Sequence, residues 1–383
     1  MSTCRWNSAL VVANIRAELT ASRDGKPAGT NGLPRAIRSE DGRFVLDNTE
    51  FPGYVAYDKL SDLWAWRVAM VGQTAPIPSD VDLDALLPVL EVDGEALHSP
   101  PSDKAQVTWL GHASVLMQFN GWTVLADPIF SERCSPTQWV GPSRFRRSPI
   151  DVVSLPRVDA VVISHNHYDH LDELTVLALA RHHPDAVFFV PLGTAAWFTE
   201  VGLVTTGVVE MDWSEEAHLP GAQGSRPPLA IACVPCQHWC ARGITDRNKC
   251  LWASWVCHTP EFSLFFGGDT GYSPMFKRVG EAFGPFDCSA IPIGAYGAPA
   301  ERWFHKPNHM DPDEAVRCHL DLRSHKSIAI HFGTFQLTGE PVLEPPKLLE
   351  AAKLEHSVPT DAFVCLKHGE TLVLPMRRKW EWA

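Results

Sequence analysis

The sequence predicts an α/β fold, a mixed sheet system with helices on its outer faces. Three observations carry that expectation: short apolar runs of β type recur from Val107 onward, helical spacing fills several intervals between them, and metal-competent side chains gather where the runs end. With 383 residues, 45% of them hydrophobic and 20% charged, the chain has enough apolar material for one large packed domain.

Taken in order, residues 1–50 hold scattered Gly, Pro, Ser, Arg and Asp without sustained apolar periodicity and read as a mobile leader. A catalytic domain is expected over 51–376 and a short tail over 377–383. Leu60, Leu63, Trp64 and Val68 have helical spacing within 58–71, and 76–101 follows as a proline-punctuated connector. Runs at 107–110, 114–119 and 122–126 are separated by Gly111 and by Asn120-Gly121, the punctuation of hairpins. Further buried strands are expected at 160–164, 187–190, 229–234, 251–257, 262–266, 288–293 and 327–331. Helices are expected at 172–182, 194–201, 312–322 and 345–354. No internal repeat is visible, although a two-sheet fold can hide a diverged one.

A net charge of -12 repels phosphate backbones at long range and argues against nucleic acid as a partner. The ten cysteines accompany no N-terminal basic stretch followed by an apolar run, so they read as reduced thiols of an intracellular protein. No apolar run approaches the ~20 residues of a membrane-spanning helix, and any membrane contact is expected to be peripheral. Core packing is the expected place for most of the fourteen tryptophans.

Directly after the strand at 159–164 comes His165-Asn166-His167-Tyr168-Asp169-His170. In extended backbone His165 and His167 point the same way and can meet one ion, while the turn that follows lets Asp169 and His170 meet a second. Four such side chains beside a buried strand would be costly to desolvate without a cation. Around His238, the series Cys233, Cys236, Cys240 admits a separate thiolate zinc site or simply three buried thiols.

The segment HNHYDH matches the H-x-H-x-D-H signature of the metallo-β-lactamase superfamily. The phrases LADPIFSERCSP (125–136), GPSRFRRSP (141–149), QHWCARG (237–243), FFGGDTGY (265–272), AIPIGAY (290–296) and AIHFGTF (329–335) resemble the family of N-acyl-phosphatidylethanolamine-hydrolysing phospholipases D. The resemblance runs from about residue 51 to 370. It implies an αββα sandwich, two mixed sheets flanked by helices, with two zinc ions per chain at the edge between the sheets. His165, His167 and His238 would hold the first, Asp169, His170 and His331 the second, and Asp269 would bridge both.

The implied reaction is hydrolysis of N-acyl-phosphatidylethanolamine to N-acylethanolamine and phosphatidic acid, by attack of a metal-bridging hydroxide on phosphorus. Asp269 and His309 would be the catalytic side chains, His309 stabilising the phosphorane oxygens or protonating the leaving group. Tyr168, Trp239 and Asn308 are expected to meet the substrate. Trp139, Trp197-Phe198 and Trp303-Phe304 are further candidates for an acyl cleft. Relatives often have Gln-His where this chain has Asn308-His309, and residues 297–300 look like an addition at the pocket lip. The metal ligands alone leave a second reading open, a cytosolic hydrolase of sugar-phosphate lactones or other phosphoesters on the same fold. An inactive scaffold would have lost a ligand, and none is lost.

Arg144, Arg146 and Arg147, with Phe145 between them, are the expected contact with an anionic lipid surface, a solvated loop paired with local acids being the alternative. Together these readings describe a phospholipid-cleaving homodimer, peripheral on the cytosolic face of a membrane, with no nucleic-acid partner.

Overall fold

A computed structural model of the chain describes residues 8–23, 31–56, 61, 65, 68, 75–203, 207–222 and 226–376. Most of the helix expected at 58–71, and the tail at 377–383, lie outside the described residues. A small hairpin, β1 (Ile37–Arg38) and β2 (Phe44–Val45), precedes two larger sheets. The strands of the first half are β3 (Lys104–Gly111), β4 (Ser114–Phe119), β5 (Trp122–Ala126), β6 (Ala160–Val162), β7 (Val187–Pro191) and β8 (Val208–Met211). Those of the second are β9 (Glu215–Leu219), β10 (Leu229–Val234), β11 (Ser254–Thr259), β12 (Phe262–Phe266), β13 (Cys288–Pro292), β14 (Ser327–Ile330) and β15 (Phe363–Val364). Strand β16 (Thr371–Pro375) returns to the first sheet.

Each large sheet has seven strands, ordered β16-β3-β4-β5-β6-β7-β8 and β9-β10-β11-β12-β13-β14-β15. The first four strands of each run antiparallel and the rest parallel. The shared plan is the diverged repeat that residue identities do not reveal. Because helices cover their outer faces, β4, β5, β7, β10, β12 and β13 are buried along their whole length, so they read as continuous apolar runs rather than alternating ones.

On the first sheet, alternate residues divide between two apolar layers. Val107, Trp109, Val115, Met117 and Val124 join the main core shared with the second sheet. Leu116, Leu125, Val161, Ile163 and Phe188 meet Val176 and Leu179 of the helix Glu173–His182 on the outside. The helix Pro312–Asp321 packs on β13 outside the second sheet and against the helix Glu344–Glu355. The αββα sandwich is therefore the fold. Trp109, Trp122, Trp252 and Trp255 are fully buried, as expected of core indoles.

The leader expected over 1–50 is a correction for its described part. Ser8–Arg23 is a helix whose Val12, Ile15 and Leu19 are buried, and it lies across β8 and β9, the facing edge strands of the two sheets. Arg16 donates from Nε to the Val208 carbonyl (2.9 Å), and Arg23 pairs with buried Glu215 (2.6 Å). Leu33, Phe44 and Phe51 also enter the core. The apolar stripe is only three residues wide among alanines, too sparse to register as periodicity without the sheet edges it covers. The connector at 76–101 also contains more than turns. Helices Asp80–Leu86 and Gly94–His98 are capped by Ser79 and Asp93, which accept from the amides of Asp82 and Ala96. Strands β8, β9, β15 and β16 and the helix Met275–Phe283 were not expected, and β11 begins at Ser254 rather than 251. Among the described residues no helix is long and apolar enough to cross a membrane.

Candidate metal centre

The rim where both sheets end supplies every component of the site. β6 leads into the HNHYDH turn, β10 into His238, β12 into Asp269, and His331 directly follows β14. Several of these exits use left-handed backbone: φ is +52° at His112, +37° at Asp127 and +60° at His331. That conformation turns a side chain off the strand face, and it persists in non-glycine residues only where the surroundings hold it. Gly268, before Asp269, has φ +58°, and a Cβ there would stand 2.4 Å from the Ser164 Cβ, so the second sheet's ligand loop approaches the first sheet as closely as only glycine allows.

The seven expected ligands converge. His165 Nε2 lies 2.8 Å and His238 Nε2 3.4 Å from His167 Nδ1, giving a cluster of three imidazoles. His170 Nε2 lies 3.3 Å from Asp169 Oδ2 and 3.3 Å from His331 Nε2, giving a second cluster. Asp269 faces both, 3.0 Å from His170 and His331 and 3.9 Å from His165 and His238. His238 donates from Nδ1 to the Asn308 carbonyl (3.0 Å), which leaves its Nε2 lone pair aimed into the first cluster. Lone pairs converging from three imidazoles repel one another without a cation, so the donor set fits metal binding.

Two further residues belong to this centre and were not singled out from sequence. Asp127, fully buried after β5, accepts from the Ser164 amide (2.6 Å) and from His170 Nδ1 (2.6 Å), which directs His170 Nε2 inward. His112, just after β3, donates from Nε2 to Asp169 Oδ2 (2.9 Å) and lies within the second cluster. Their signal was available, since each is a metal-competent residue immediately after a strand, like the expected ligands.

Charge divides the centre. Burial, with the neighbouring imidazoles, holds His165 and His238 well below the usual histidine value, and burial holds His167 at about 4. In the second cluster burial also works downward, but Asp269, Asp169 and Asp127 outweigh it and hold His170 well above the usual range. Asp269 and Asp169 likewise raise His331 to about 9. His112 is depressed to about 4, first by burial and then by His331, so its ring is neutral and serves Asp169 as a donor.

Above the clusters opens a cavity of about 280 Å³ lined by Tyr168, Trp239, Phe304, Asn308, His309 and Leu337, among others. His309 enters it with Nε2 3.4 Å from Asp269 Oδ2 and its ring stacked on His331. Trp239 packs edge-on to His167. Tyr168 donates to the Arg242 carbonyl (2.9 Å), while Asn308 acts through its backbone on His238. Residues 297–300 are held at the pocket lip: buried Glu301 accepts from Ala298 N (3.1 Å) and pairs with His305 (3.3 Å), and Glu340 accepts from Ala295 N (2.7 Å) and Gly297 N (3.1 Å).

Several expectations fail here. Arg144 donates to the Ser131 and Ile129 carbonyls (2.9 Å each), Arg146 is 7% exposed and pairs with Asp84 (2.8 Å), and Phe145 packs on the core. Only Arg147 of the three faces outward, so Arg144 and Arg146 brace the loop from within instead of joining Arg147 in an exposed membrane patch. Isolated cations with carbonyl and carboxylate acceptors within reach are drawn inward. Trp139 is 92% exposed, and Trp197-Phe198 packs under the first sheet's outer layer, so neither lines the cavity. Cys233, Cys236 and Cys240 turn to three separate carbonyls, those of Met211, Asp269 and Cys250, and are buried thiols.

The chain matches the beta-lactamase superfamily domain over residues 122–332. It is 39% identical to N-acyl-phosphatidylethanolamine-hydrolyzing phospholipase D 1 of Caenorhabditis elegans, over 77% of this chain and 82% of that protein. The mitochondrial N-acyl-phosphatidylethanolamine-hydrolyzing phospholipase D of Saccharomyces cerevisiae is 34% identical, over 63% of this chain and 50% of its own. An uncharacterised Mycobacterium tuberculosis protein is 43% identical, and the match spans 67% of this chain and 66% of that protein. Among solved structures, an isothiocyanate hydrolase from Delia radicum gut bacteria has a TM-score of 0.53 at 20% identity, covering 70% of this chain and 99% of its own. A metallo hydrolase from Ignicoccus hospitalis has 0.51 at 19%, covering 71% and 98%. These two share the fold. Family and fold together support a metal-dependent hydrolase.

Proposed function

We infer the activity of this chain from its family: it belongs to the metallo-β-lactamase superfamily, in the branch of the N-acyl-phosphatidylethanolamine-hydrolysing phospholipases D. On that reading it is a zinc-dependent phosphodiesterase that cleaves N-acyl-phosphatidylethanolamine to N-acylethanolamine and phosphatidic acid. The observation that carries the reading is an apolar-walled cavity directly over two ligand clusters joined by one carboxylate.

Two bound divalent cations would supply Lewis acidity and an activated water. The protein's own residues do the rest. Asp269 links the clusters, and Asp127 and His112 fix His170 and Asp169. Burial, opposed by Asp269, holds His309 below the usual imidazole value, so the neutral ring is the resting form and its N–H is available to a phosphoryl oxygen. Trp239, Phe304 and Leu337 exclude water from the leaving N-acylethanolamine.

With Arg144 and Arg146 turned inward, we propose that membrane contact falls on exposed apolar tips of loops that also line the cavity. Trp139 and Val140 project from the loop that contributes Cys134, and Ile244 from the loop that contributes Trp239 and Arg247. Changing Trp139, Val140 and Ile244 together to Ser should weaken vesicle binding equally in low and high salt. A strong salt dependence would return the contact to electrostatics. For the reaction itself, metal analysis with product identification on N-acyl-phosphatidylethanolamine, run against a lactone panel, decides. Turnover of lactones without release of phosphatidic acid overturns the phospholipase reading.

A further inference from the structure

We propose that Arg247 is a specificity-determining, anion-binding residue, selecting ligands whose lipid phosphate reaches its guanidinium beside the metal clusters. The proposal rests on the phospholipase reading and names the group that recognises the phosphate apart from the metals.

Among the described residues, Arg247 is the only lysine or arginine lining the cavity. Its guanidinium carbon lies 4.2 Å from the Trp239 ring centroid, and Trp239 in turn packs on His167, so one indole separates the cation from a first-cluster ligand. Stacking fixes the plane of the guanidinium and leaves its N–H edge for an acceptor. Among the described residues no carboxylate pairs with it. The adjacent Asp246 is turned into its own loop, accepting from the amides of Arg242 (2.9 Å) and Gly243 (2.8 Å). Arg242 of the same loop shows the contrary case: it donates to the Asn166 and Leu171 carbonyls (3.0 and 2.7 Å) and braces the HNHYDH turn from beneath.

The backbone at Arg247 is pinned as well. Its carbonyl accepts from Arg43, and the Asn248 amide donates to the Cys240 carbonyl (2.8 Å). Arg247 also lines a second cavity of about 760 Å³ with Tyr54, Val55 and Ile244, so both cavities border this residue. A ligand held there has room on both sides. A planar, stacked guanidinium favours the bidentate geometry of a phosphate, which a lysine ammonium reproduces poorly.

The test titrates metal-loaded wild-type protein, Arg247→Ala and Arg247→Lys with dihexanoyl phosphatidic acid and, as an uncharged control, dihexanoylglycerol. Wild type should prefer the phosphatidic acid. Arg247→Ala should weaken that binding by about tenfold, Arg247→Lys should recover part of it, and dihexanoylglycerol binding should not change. In turnover of N-acyl-phosphatidylethanolamine, the loss in Arg247→Ala should fall on KM more than on kcat. Equal phosphatidic acid binding by wild type and Arg247→Ala overturns the proposal, as does a parallel loss of dihexanoylglycerol binding or of metal. If wild type binds phosphatidic acid through Arg247 but releases none from the lipid, the anion site stands and the phospholipase reading falls.

Discussion

The two halves of the metal centre are built from the same residue types and behave as opposites. In the first, His165, His167 and His238 are clustered and held neutral, so three lone pairs stand ready. In the second, His170 and His331 are surrounded by Asp127, Asp169 and Asp269, which favour their protonated forms. The first half should therefore accept a metal with little rearrangement of charge, whereas the second must release protons to do so. The difference comes from where the carboxylates lie and not from burial alone, because each half has buried imidazoles, His165 and His238 in the first and His170 and His331 in the second.

The largest break in this contrast is expected from the residue that joins the halves. Asp269→Asn should reduce hydrolysis to background and lower metal content, because a neutral amide no longer offsets two cations. Near-normal turnover in a variant verified by mass spectrometry would remove Asp269 from the linking role. Next, His309→Ala should leave both metals bound while slowing turnover by roughly 10²- to 10³-fold, the usual loss of one oxyanion donor. His309→Gln, which retains an N–H, should recover part of the rate. Metal loss in either variant would instead make His309 a ligand.

A third expectation concerns pH and the metal-free protein. A histidine raised in the folded state stabilises the fold below its unfolded pKa near 6.5, and that contribution is lost as pH rises through its folded value. For His331, raised to about 9, this amounts to about 3 kcal/mol at most. Thermal melting of metal-free protein should therefore move to lower temperature between about pH 6.5 and 9, and metal-loaded protein should not follow it. Parallel curves with and without metal would show that the second half holds no protons. The smallest effect is expected from Asp127→Asn, which should weaken metal binding in the second half by about 10- to 100-fold, as removal of a carboxylate behind a ligating imidazole does. The first half should keep its metal. Equal loss from both would mean that Asp127 organises the whole rim rather than His170.

Legibility from sequence followed the same division between local and distant causes. HNHYDH could be read directly because a strand end and a turn place its four side chains within six residues. Asp127 and His112 escaped because each offers one polar residue after an ordinary strand, and their meaning depends on His170 and Asp169 standing opposite. The arginine cluster misled for a related reason. Three cations beside a phenylalanine suggest an exposed patch, but the carbonyls of Ile129 and Ser131 and the carboxylate of Asp84 draw two of them inward.

By itself, the sequence determined the fold class, the position of most strands and the four metal-competent side chains of HNHYDH, since apolar runs and ligand spacing act over a few residues, whereas His238, Asp269 and His331 were legible only through the family resemblance. Tertiary structure alone decided that residues 8–23 form a helix across two sheet edges, that β16 closes the first sheet beside β3, and that Arg247 remains without an acid partner among the described residues. Each of these depends on what lies opposite in space, and a side chain's partner, charge state and exposure are set by neighbours far away in the chain, as Glu215 is for Arg23.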